Sequence, residues 1–230
     1  MISVIMLTYN RETLVGRAIE SVRAQSWKDL EFIIVDNGST DRSGKIADEY
    51  AALDSRIQVI HKECGNIGSG RNAGLNAAKG DFIAFIDDDD WIEPDYLDFL
   101  YQLLVEYGAD VSICGTTTAS SEKHCVMTAE EAVIETMRRK LFKVGFPGKL
   151  FRSSVIGNLR FPTDTIHDDC FLMHKALGNA SRVAYDGILK YHIFHGSSST
   201  TKWKDDFRLL TPELLTDLLE SRKLRTEWCG

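Results

Sequence analysis

Residues 81–90 read DFIAFIDDDD, and this stretch decides the fold class. It has the composition of a buried strand followed by four consecutive aspartates at the strand end. Adjacent carboxylates repel one another unless a cation or hydrogen-bond donors compensate their charge. A solvated charge run is the alternative, but such runs usually lie on exposed helices or tails. The stretch therefore predicts a strand that ends at a cation-binding site.

Strand and helix patterns alternate around this stretch. Short apolar and β-branched runs predict strands over Ser3–Thr8, Glu31–Asp36 and Arg56–His61, with helical patterns between them. The second of these runs is apolar almost throughout, which is typical of a strand that is buried on both faces. This alternation predicts an α/β fold with a mostly parallel central sheet and crossover helices.

Polar residues follow three of the predicted strands: Thr8-Tyr9-Asn10, Asp36-Asn37 and Asp87–Asp90. A capped turn alone would explain Asp36-Asn37, but ligands of open α/β sheets bind at the carboxyl ends of strands, where all three converge. In an extended segment Asp87 and Asp89 lie on the same side of the chain. One or two carboxylates together with substrate phosphates bind hard divalent cations, so these residues predict a Mn²⁺ or Mg²⁺ site.

The glycine pattern of residues 68–74, GSGRNAG, has two interpretations. It follows a predicted strand and opens a helix, as a dinucleotide fingerprint does. However, it follows the third strand, and the acids downstream form a cluster instead of a single ribose-binding residue. We therefore favour the alternative, in which Arg71 at the helix start meets a phosphate.

Composition excludes several classes of protein. The 230 residues include 27 Lys and Arg against 34 Asp and Glu, a net charge of −7, which argues against a nucleic-acid partner. The five cysteines are scattered without metal-ligand spacing, as in a reduced cytosolic protein. No apolar stretch approaches the ~20 residues of a membrane span, and Met1–Leu7 lacks signal-peptide features. These features predict a soluble, cytoplasmic protein.

The regular alternation weakens beyond residue 116. Thr128 and Glu131 predict a capping box for a helix over 129–141, and residues 119–124 form a predicted polar loop. Further patterns predict a helix over 168–177, one or two strands over 182–193 and a closing amphipathic helix over 205–228. Because no linker composition interrupts the chain, one continuous domain is expected.

Several ordered motifs resemble family 2 glycosyltransferases with the GT-A fold. They are VIMLTYNR at 4–11, EFIIVDNGSTD at 31–41 and the segment from GNIGSGRNAG through DDDDWIEPDYL at 65–97. The second half is similar to members that act in bacterial cell-surface polysaccharide synthesis, at 148–152, 160–162, 166–169 and 191–198. The resemblance implies a Rossmann-like three-layer sandwich over 1–204, with a nucleotide-sugar half (1–116), an acceptor-facing half (117–204) and a helical extension over 205–230.

The resemblance also assigns site residues. Asp169 matches the general base, and Asp89 is the direct metal ligand, with Asp87 beside it. His195 aligns with a basic residue near the diphosphate, although an ordinary loop histidine explains it equally well. The positions that match the nucleotide-sugar site are Thr8, Tyr9, Asn10, Asp36, Asn37, Arg71, Asp87, Asp88 and His195.

Two positions depart from the family pattern. Asn37 stands where the family commonly has an aspartate that contacts the uracil edge. Its amide oxygen can accept from uracil N3–H, but its amide N–H groups can also donate to cytosine, so cytosine is less strongly excluded. Asp168 stands where the family usually has a glutamate one methylene longer, so we expect only a supporting role for it.

The resemblance implies an inverting, metal-dependent transfer of a sugar from a nucleotide-diphospho-sugar, with UDP favoured, to a saccharide or lipid-linked acceptor. The C-terminal helix is then expected to contact the inner face of the cell membrane peripherally. Two alternatives stay open, a sugar-nucleotide pyrophosphorylase and a non-catalytic sugar-nucleotide-binding module. The first would normally carry a Gly-rich loop after strand one, which Thr8-Tyr9-Asn10-Arg11 does not supply, and the second would tolerate loss of Asp169.

Overall fold

The computed structural model describes residues 1–163 and 168–195. In that part of the chain the strands are β1 (Ile2–Thr8), β2 (Leu30–Asp36), β3 (Ile57–His61), β4 (Phe82–Asp87), β5 (Trp91–Ile92), β6 (Val111–Thr116), β7 (His124–Thr128), β8 (Lys149–Arg152) and β9 (Arg182–His192). The helices are α1 (Val15–Arg23), α2 (Ser43–Ala51), α3 (Ile67–Ala77), α4 (Tyr96–Glu106), α5 (Ala129–Arg138), α6 (Ser153–Ile156) and α7 (Asp168–Asn179).

The strands form one mixed, mostly parallel sheet. Its order is β3-β2-β1-β4-β8-β6-β9-β5, and β7 pairs with β9. β1 runs parallel to β2 and β4, and β3 extends this parallel set. β8 enters antiparallel between β4 and β6, so a strand of the second half of the chain lies in the middle of the sheet.

Helices cover both faces of the sheet. Because successive side chains of a strand point to opposite faces, Val4 packs under α1, α2 and α4, whereas Ile5 packs under α3, α5, α6 and α7. Ile34 lies in the same core as Val4, and Phe85 lies in the same core as Ile5. The predicted α/β fold of three layers is therefore confirmed.

The second half agrees less closely with the sequence patterns. The capping box of α5 is present: Glu131 N donates to Thr128 Oγ1 at 3.3 Å, and Thr128 N donates to Glu131 Oε2 at 2.9 Å. The helix ends at Arg138, earlier than predicted, because Arg139 adopts a left-handed conformation with φ of 53°. The loop prediction for 119–124 is wrong at its end, where His124 begins β7. Periodicity also misses β5 and β8, with two and four residues, because they are too short to show it.

The chain divides into two compact units, Met1–Phe194 and His195–Gly230. The predicted helix over 205–228 and the predicted domain boundary at 204 lie outside the described residues. Within 1–163 and 168–195, none of the helices is both long and apolar enough to cross a membrane.

Candidate functional site

The carboxyl ends of β1, β2 and β4 lie at one edge of the sheet. The register pairs Thr8 with Asp36, and Leu7 with Asp87. Past the strands, Asn37 N donates to Thr8 O at 2.9 Å. The structure thus brings the three predicted strand ends together, because neighbouring parallel strands in register finish at the same level.

Asn10 and Asp36 hold the loops of this edge in place. Asn10 has a φ of 52°, and its Oδ1 accepts from Thr40 N at 2.8 Å, which joins the loop after β1 to the loop after β2. Asp36 is buried; its Oδ1 accepts from Ser39 N at 3.0 Å, and its Oδ2 lies 3.0 Å from His61 Nδ1. Both side chains therefore bind protein groups and fix the shape of this edge.

Asn37 and Tyr9 each directly follow the last residue of a strand at this edge, Asn37 after β2 and Tyr9 after β1. The Tyr9 side chain is exposed, whereas Asn37 is buried, with Nδ2 donating to Gly65 O at 2.7 Å and Oδ1 accepting from Lys62 Nζ at 2.8 Å. The chain at Cys64 approaches closely: a Cβ on Gly38, whose φ is 80°, would lie 2.6 Å from Cys64 N. Only glycine at position 38 therefore allows the 62–65 segment to close over Asn37.

Asp88 is the aspartate that faces the loop after β1. Its Oδ2 accepts from Tyr9 N at 3.3 Å, and its Oδ1 lies 3.7 Å from Arg11 Nε. Burial raises the pKa of Asp88 to about 7, and the nearby Thr8 hydroxyl and Arg11 guanidinium offset only part of this shift. Burial and the neighbouring Asp87 also raise the pKa of Asp89. The cluster is thus an electrostatically unfavourable site that a cation would relieve.

Asp90 anchors the loop of consecutive aspartates, Asp87–Asp90 (the aspartate loop), to β9. It is buried, and its two oxygens accept from Tyr191 Oη at 2.7 Å and Phe194 N at 2.8 Å. Tyr191 Oη in turn accepts from Asp87 N at 3.1 Å. Burial, followed by Asp87, raises the pKa of Asp90 to about 8. Asp90 is therefore bound within the protein and holds Asp87 in place through Tyr191.

Arg71 joins the aspartate loop to α7. Its Nη1 donates to Asp169 Oδ1 at 2.6 Å and to Asp168 Oδ2 at 2.9 Å, and its Nη2 lies 3.5 Å from Asp87 Oδ1. Burial alone would lower the pKa of Arg71, but the three carboxylates outweigh it and raise the pKa. The arginine predicted to meet a phosphate is therefore placed among carboxylates from both halves of the chain.

Asp169 lies in the first turn of α7, as predicted. Burial raises the pKa of Asp169 to about 6, and Arg71 opposes this shift. Lys149 is almost fully buried and donates from Nζ to Lys143 O at 2.9 Å and to Gly145 O. Burial lowers the pKa of Lys149 to about 8, while Cys114 and Asp169 raise it. With a pKa of about 6, Asp169 is mostly ionised at neutral pH, and Arg71 holds it in a fixed position, as a general base requires.

A sequence profile described as glycosyl transferase family 2 matches residues 3–177. The chain belongs to glycosyl transferase family 2. This family-2 chain is 32% identical over 225 residues to glycosyltransferase GlyA of Streptococcus pneumoniae serotype 4, a match that covers 88% of the chain and 32% of GlyA. EpsH of Bacillus subtilis is 36% identical over 221 residues, covering 88% of the chain and 63% of EpsH. The chain therefore spans between about a third and less than two thirds of these relatives.

Two solved structures share the fold of the family-2 chain. Residues 1–349 of TarS from S. aureus, in complex with UDP-GlcNAc, superpose with a TM-score of 0.78 at 22% identity, covering 95% of this chain and 66% of that one. Mannosyltransferase PcManGT from Pyrobaculum calidifontis, in complex with GDP-Man and Mn²⁺, gives a TM-score of 0.61 at 20% identity, covering 81% and 56%. At these identities the likeness establishes the GT-A fold alone.

The donor set of this family-2 chain fits a divalent cation that substrate phosphates complete. Within the described ranges, no group of three or more His, Cys, Asp or Glu side chains is gathered as a metal site. Asp87 is 45% exposed and Asp89 is half-buried, so both carboxylates remain accessible at the strand end. Mg²⁺ is usually bound by one or two carboxylates together with phosphates, which matches this arrangement.

Some site residues lie beyond what the patterns assign. Lys62 contacts Asn37, and Tyr191 contacts Asp87 and Asp90. Lys149 acts on Asp169 only through its charge. Single lysines and tyrosines carry no spacing signal. The motifs at 148–152 and 191–198 contain two of them, so the resemblance marks the positions without giving a role. His195 is exposed and opens the second unit, and its role near a diphosphate stays a prediction.

Proposed function

We propose that this chain is an inverting, metal-dependent glycosyltransferase. It moves a sugar from a nucleotide-diphospho-sugar, with UDP favoured, to a hydroxyl of a saccharide or lipid-linked acceptor in surface polysaccharide synthesis. The observation that carries the proposal is the Arg71 cluster, in which one guanidinium binds Asp169 and Asp168 of α7 and lies beside Asp87 after β4. The cluster thus joins the proposed proton acceptor to Asp87, one of the two proposed cation ligands.

The donor half of the proposal rests on the front-half pocket. The exposed ring of Tyr9 and the buried amide of Asn37 offer a flat apolar surface and polar groups to a base, while Asp88 is available to a ribose. The complexes of TarS with UDP and UDP-GlcNAc support a UDP donor, whereas PcManGT is in complex with GDP-Man. Thr8, Tyr9, Asn10, Asp36, Asn37, Arg71, Asp87 and Asp88 are the residues proposed to line or shape the donor site, and His195, which opens the second unit, keeps only the role that the resemblance implies.

The chemistry is a single displacement. The acceptor oxygen bonds to the anomeric carbon, the bond from that carbon to the diphosphate oxygen breaks, and the acceptor proton passes to the Asp169 carboxylate. When bound, Mn²⁺ or Mg²⁺ at Asp89 and Asp87 supplies a Lewis acid for the charge on the diphosphate. Asp168 supports Asp169 through their shared Arg71 Nη1. A second carboxylate acting as nucleophile is not needed, in contrast to retaining hydrolases.

The reaction belongs in the cytoplasm in this proposal. The segment 205–230, outside the described residues, is proposed to bring the protein to the inner face of the membrane. Nucleic acid has no part in it, consistent with the net charge of −7.

Release of free nucleoside diphosphate tests the proposed function. Sugar nucleotides are first screened with Mn²⁺ for thermal stabilisation, because a donor that binds the native state raises Tm by mass action. The stabilising donor is then incubated with saccharide acceptors or with pyrophosphate, and UDP, UTP and the anomeric configuration of the product are measured. Release of UDP with inversion supports the proposal. Formation of UTP and sugar 1-phosphate when pyrophosphate is added indicates a pyrophosphorylase, and donor binding without turnover on any acceptor indicates a binding module.

Metal affinity gives a separate prediction. Asp89 is expected to bind Mn²⁺ weakly in the free protein and more tightly with UDP, because the diphosphate completes the coordination shell. Calorimetric titration of Mn²⁺ with and without UDP measures the difference, and Asp89→Ala should abolish it. The control is Glu122→Ala, which removes an exposed carboxylate remote in sequence from the loop. Equal Mn²⁺ affinity with and without UDP would contradict the metal assignment.

A further inference from the structure

The ammonium group of Lys62 is fully engaged inside the protein. Its Nζ donates to Asn37 Oδ1 at 2.8 Å, to Glu63 O at 2.7 Å and to Ser69 Oγ at 3.4 Å. An ammonium has three hydrogens and accepts none, so these contacts use its whole capacity. Lys62 is half-buried at the end of β3, directly beside Asn37. It therefore acts on a ligand only through the groups that it holds.

Two partners fix the orientation of the Asn37 amide. Lys62 Nζ can only donate, so the amide atom at 2.8 Å from it is the oxygen. Gly65 O can only accept, so the amide atom at 2.7 Å from it is the nitrogen. A flipped amide would place Nδ2 against the ammonium and Oδ1 against the carbonyl, losing both hydrogen bonds. The amide keeps one lone pair and one N–H for a ligand.

The two pyrimidines require opposite amide orientations. Uracil presents a donor at N3 and acceptor oxygens beside it, whereas cytosine presents an acceptor at N3 and a donor amino group at C4. An amide that pairs with uracil through Oδ1 at N3 must flip to pair with cytosine held in the same place. An asparagine whose amide can flip would bind uracil and cytosine alike. An asparagine whose amide is held in one orientation binds only the base that matches this orientation.

We propose that Lys62 is a specificity-determining positioning residue, which holds the Asn37 amide in the orientation that pairs with uracil and mismatches cytosine. This inference rests on the proposed function, since it requires the nucleoside of the donor to lie against Asn37. It also explains how an asparagine reads the base without the negative charge of an aspartate. The cost of the wrong base is that buried polar groups are left unpaired, about 1–3 kcal/mol, or roughly tenfold in affinity or more.

The test compares UDP and CDP affinities at one fixed Mn²⁺ concentration. The wild-type chain is expected to bind UDP more tightly than CDP by about tenfold or more. In Lys62→Met the CDP/UDP ratio of Kd values should fall by roughly fivefold, because loss of one hydrogen bond of about 1 kcal/mol leaves only Gly65 O to oppose a flip of the amide. Lys45→Met removes the same charge from an exposed position on α2 and should leave the ratio unchanged.

A second background separates orientation from charge. In Asn37→Asp the carboxylate only accepts, so it has no orientation to hold, and UDP should remain preferred. Adding Lys62→Gln to that background, which keeps a hydrogen-bond donor beside the buried carboxylate, should leave the ratio unchanged within about threefold. If Lys62→Met alone fails to fold, Lys62→Gln replaces it, because a Gln amide can donate or accept and enforces neither orientation of Asn37.

Three outcomes overturn the inference. A wild-type chain that binds UDP and CDP equally excludes selection by Asn37, although the proposed glycosyltransferase function stands. UDP and CDP affinities that fall together in Lys62→Met, or a ratio that falls equally in the Asn37→Asp background, show that Lys62 acts through charge or general structure. Binding of neither nucleotide by the folded wild-type chain removes the proposed UDP donor together with this inference.

Discussion

Asp169→Asn is expected to lower turnover by about 10²-fold or more while the affinity for the donor changes little. The amide has nearly the shape of the carboxylate but cannot take the acceptor proton. Donor affinity should persist because the front-half loops and the aspartate cluster are untouched. Steady-state turnover and donor Kd, measured on the same preparations, give the two quantities.

The pH profile provides a further readout of the same residue. A general base must be ionised at the outset, and burial raises the pKa of Asp169 to about 6. Turnover should therefore decline as pH falls through about 6 and should level off above it. Asp169→Asn should lose this acidic limb along with most of its activity.

Asp168→Asn is the matched comparison, because it makes the same chemical change at the neighbouring residue. Asp168 is buried against Arg71. The Asp168→Asn substitution should lower turnover less than Asp169→Asn, because it distorts the site without removing the proton acceptor. Turnover of Asp169→Asn within threefold of wild type, or a larger loss in Asp168→Asn, would reverse the assignment.

Arg71→Met is expected to destabilise the fold by about 3–5 kcal/mol. The substitution removes a guanidinium that donates to both Asp169 and Asp168 and leaves their two carboxylates with one cation fewer. Removing one partner of a buried ion pair costs more than the pair contributes, because the remaining charge stays desolvated. Urea unfolding at neutral pH measures the change in the free energy of unfolding.

The control is Arg42→Met, whose arginine is 65% exposed and lies 3.7 Å from Glu49. Exposed pairs contribute about 0–1 kcal/mol, so this variant should unfold close to wild type. The loss of unfolding free energy in Arg71→Met should become smaller as pH falls, because the carboxylates that Arg71 no longer neutralises then take up protons. Equal free energies of unfolding for the two variants would contradict the prediction. They would show that solvent or a local rearrangement stabilises the carboxylates that Arg71 contacts.

The arrangement of the strand ends follows from local sequence. Thr8, Asp36 and Asp87 each end an apolar run, and parallel strands in register bring such ends to one edge. This is why the α/β class and the site edge could be predicted without any distant contact. Asn10 and Asp36 also lie at this edge, where their oxygens accept from the backbone of the loop after β2, and their part in binding a nucleotide stays a prediction.

The partners of Arg71 could not be predicted in the same way. Asp168 and Asp169 lie 97 and 98 residues further along the chain, so only the packed fold brings them to the guanidinium. A lone arginine at a helix start is equally suited to a phosphate, which is the role that the pattern predicts. The capacity of Lys62 to orient Asn37 likewise depends on the path of 62–65, which Gly38 permits through its positive φ.

The central position of β8 has a consequence for how the chain is made. β4 finishes at Asp87, but its neighbour in the sheet, Lys149–Arg152, leaves the ribosome only much later. Until then the growing chain carries an unprotected strand edge, and such edges recruit other chains. Synthesis proceeds at about 5–20 residues per second, so this exposure lasts for seconds. Residues 1–116 are therefore a nascent intermediate that depends on the rest of the chain to complete its sheet, and a fragment cut there would lack that protection.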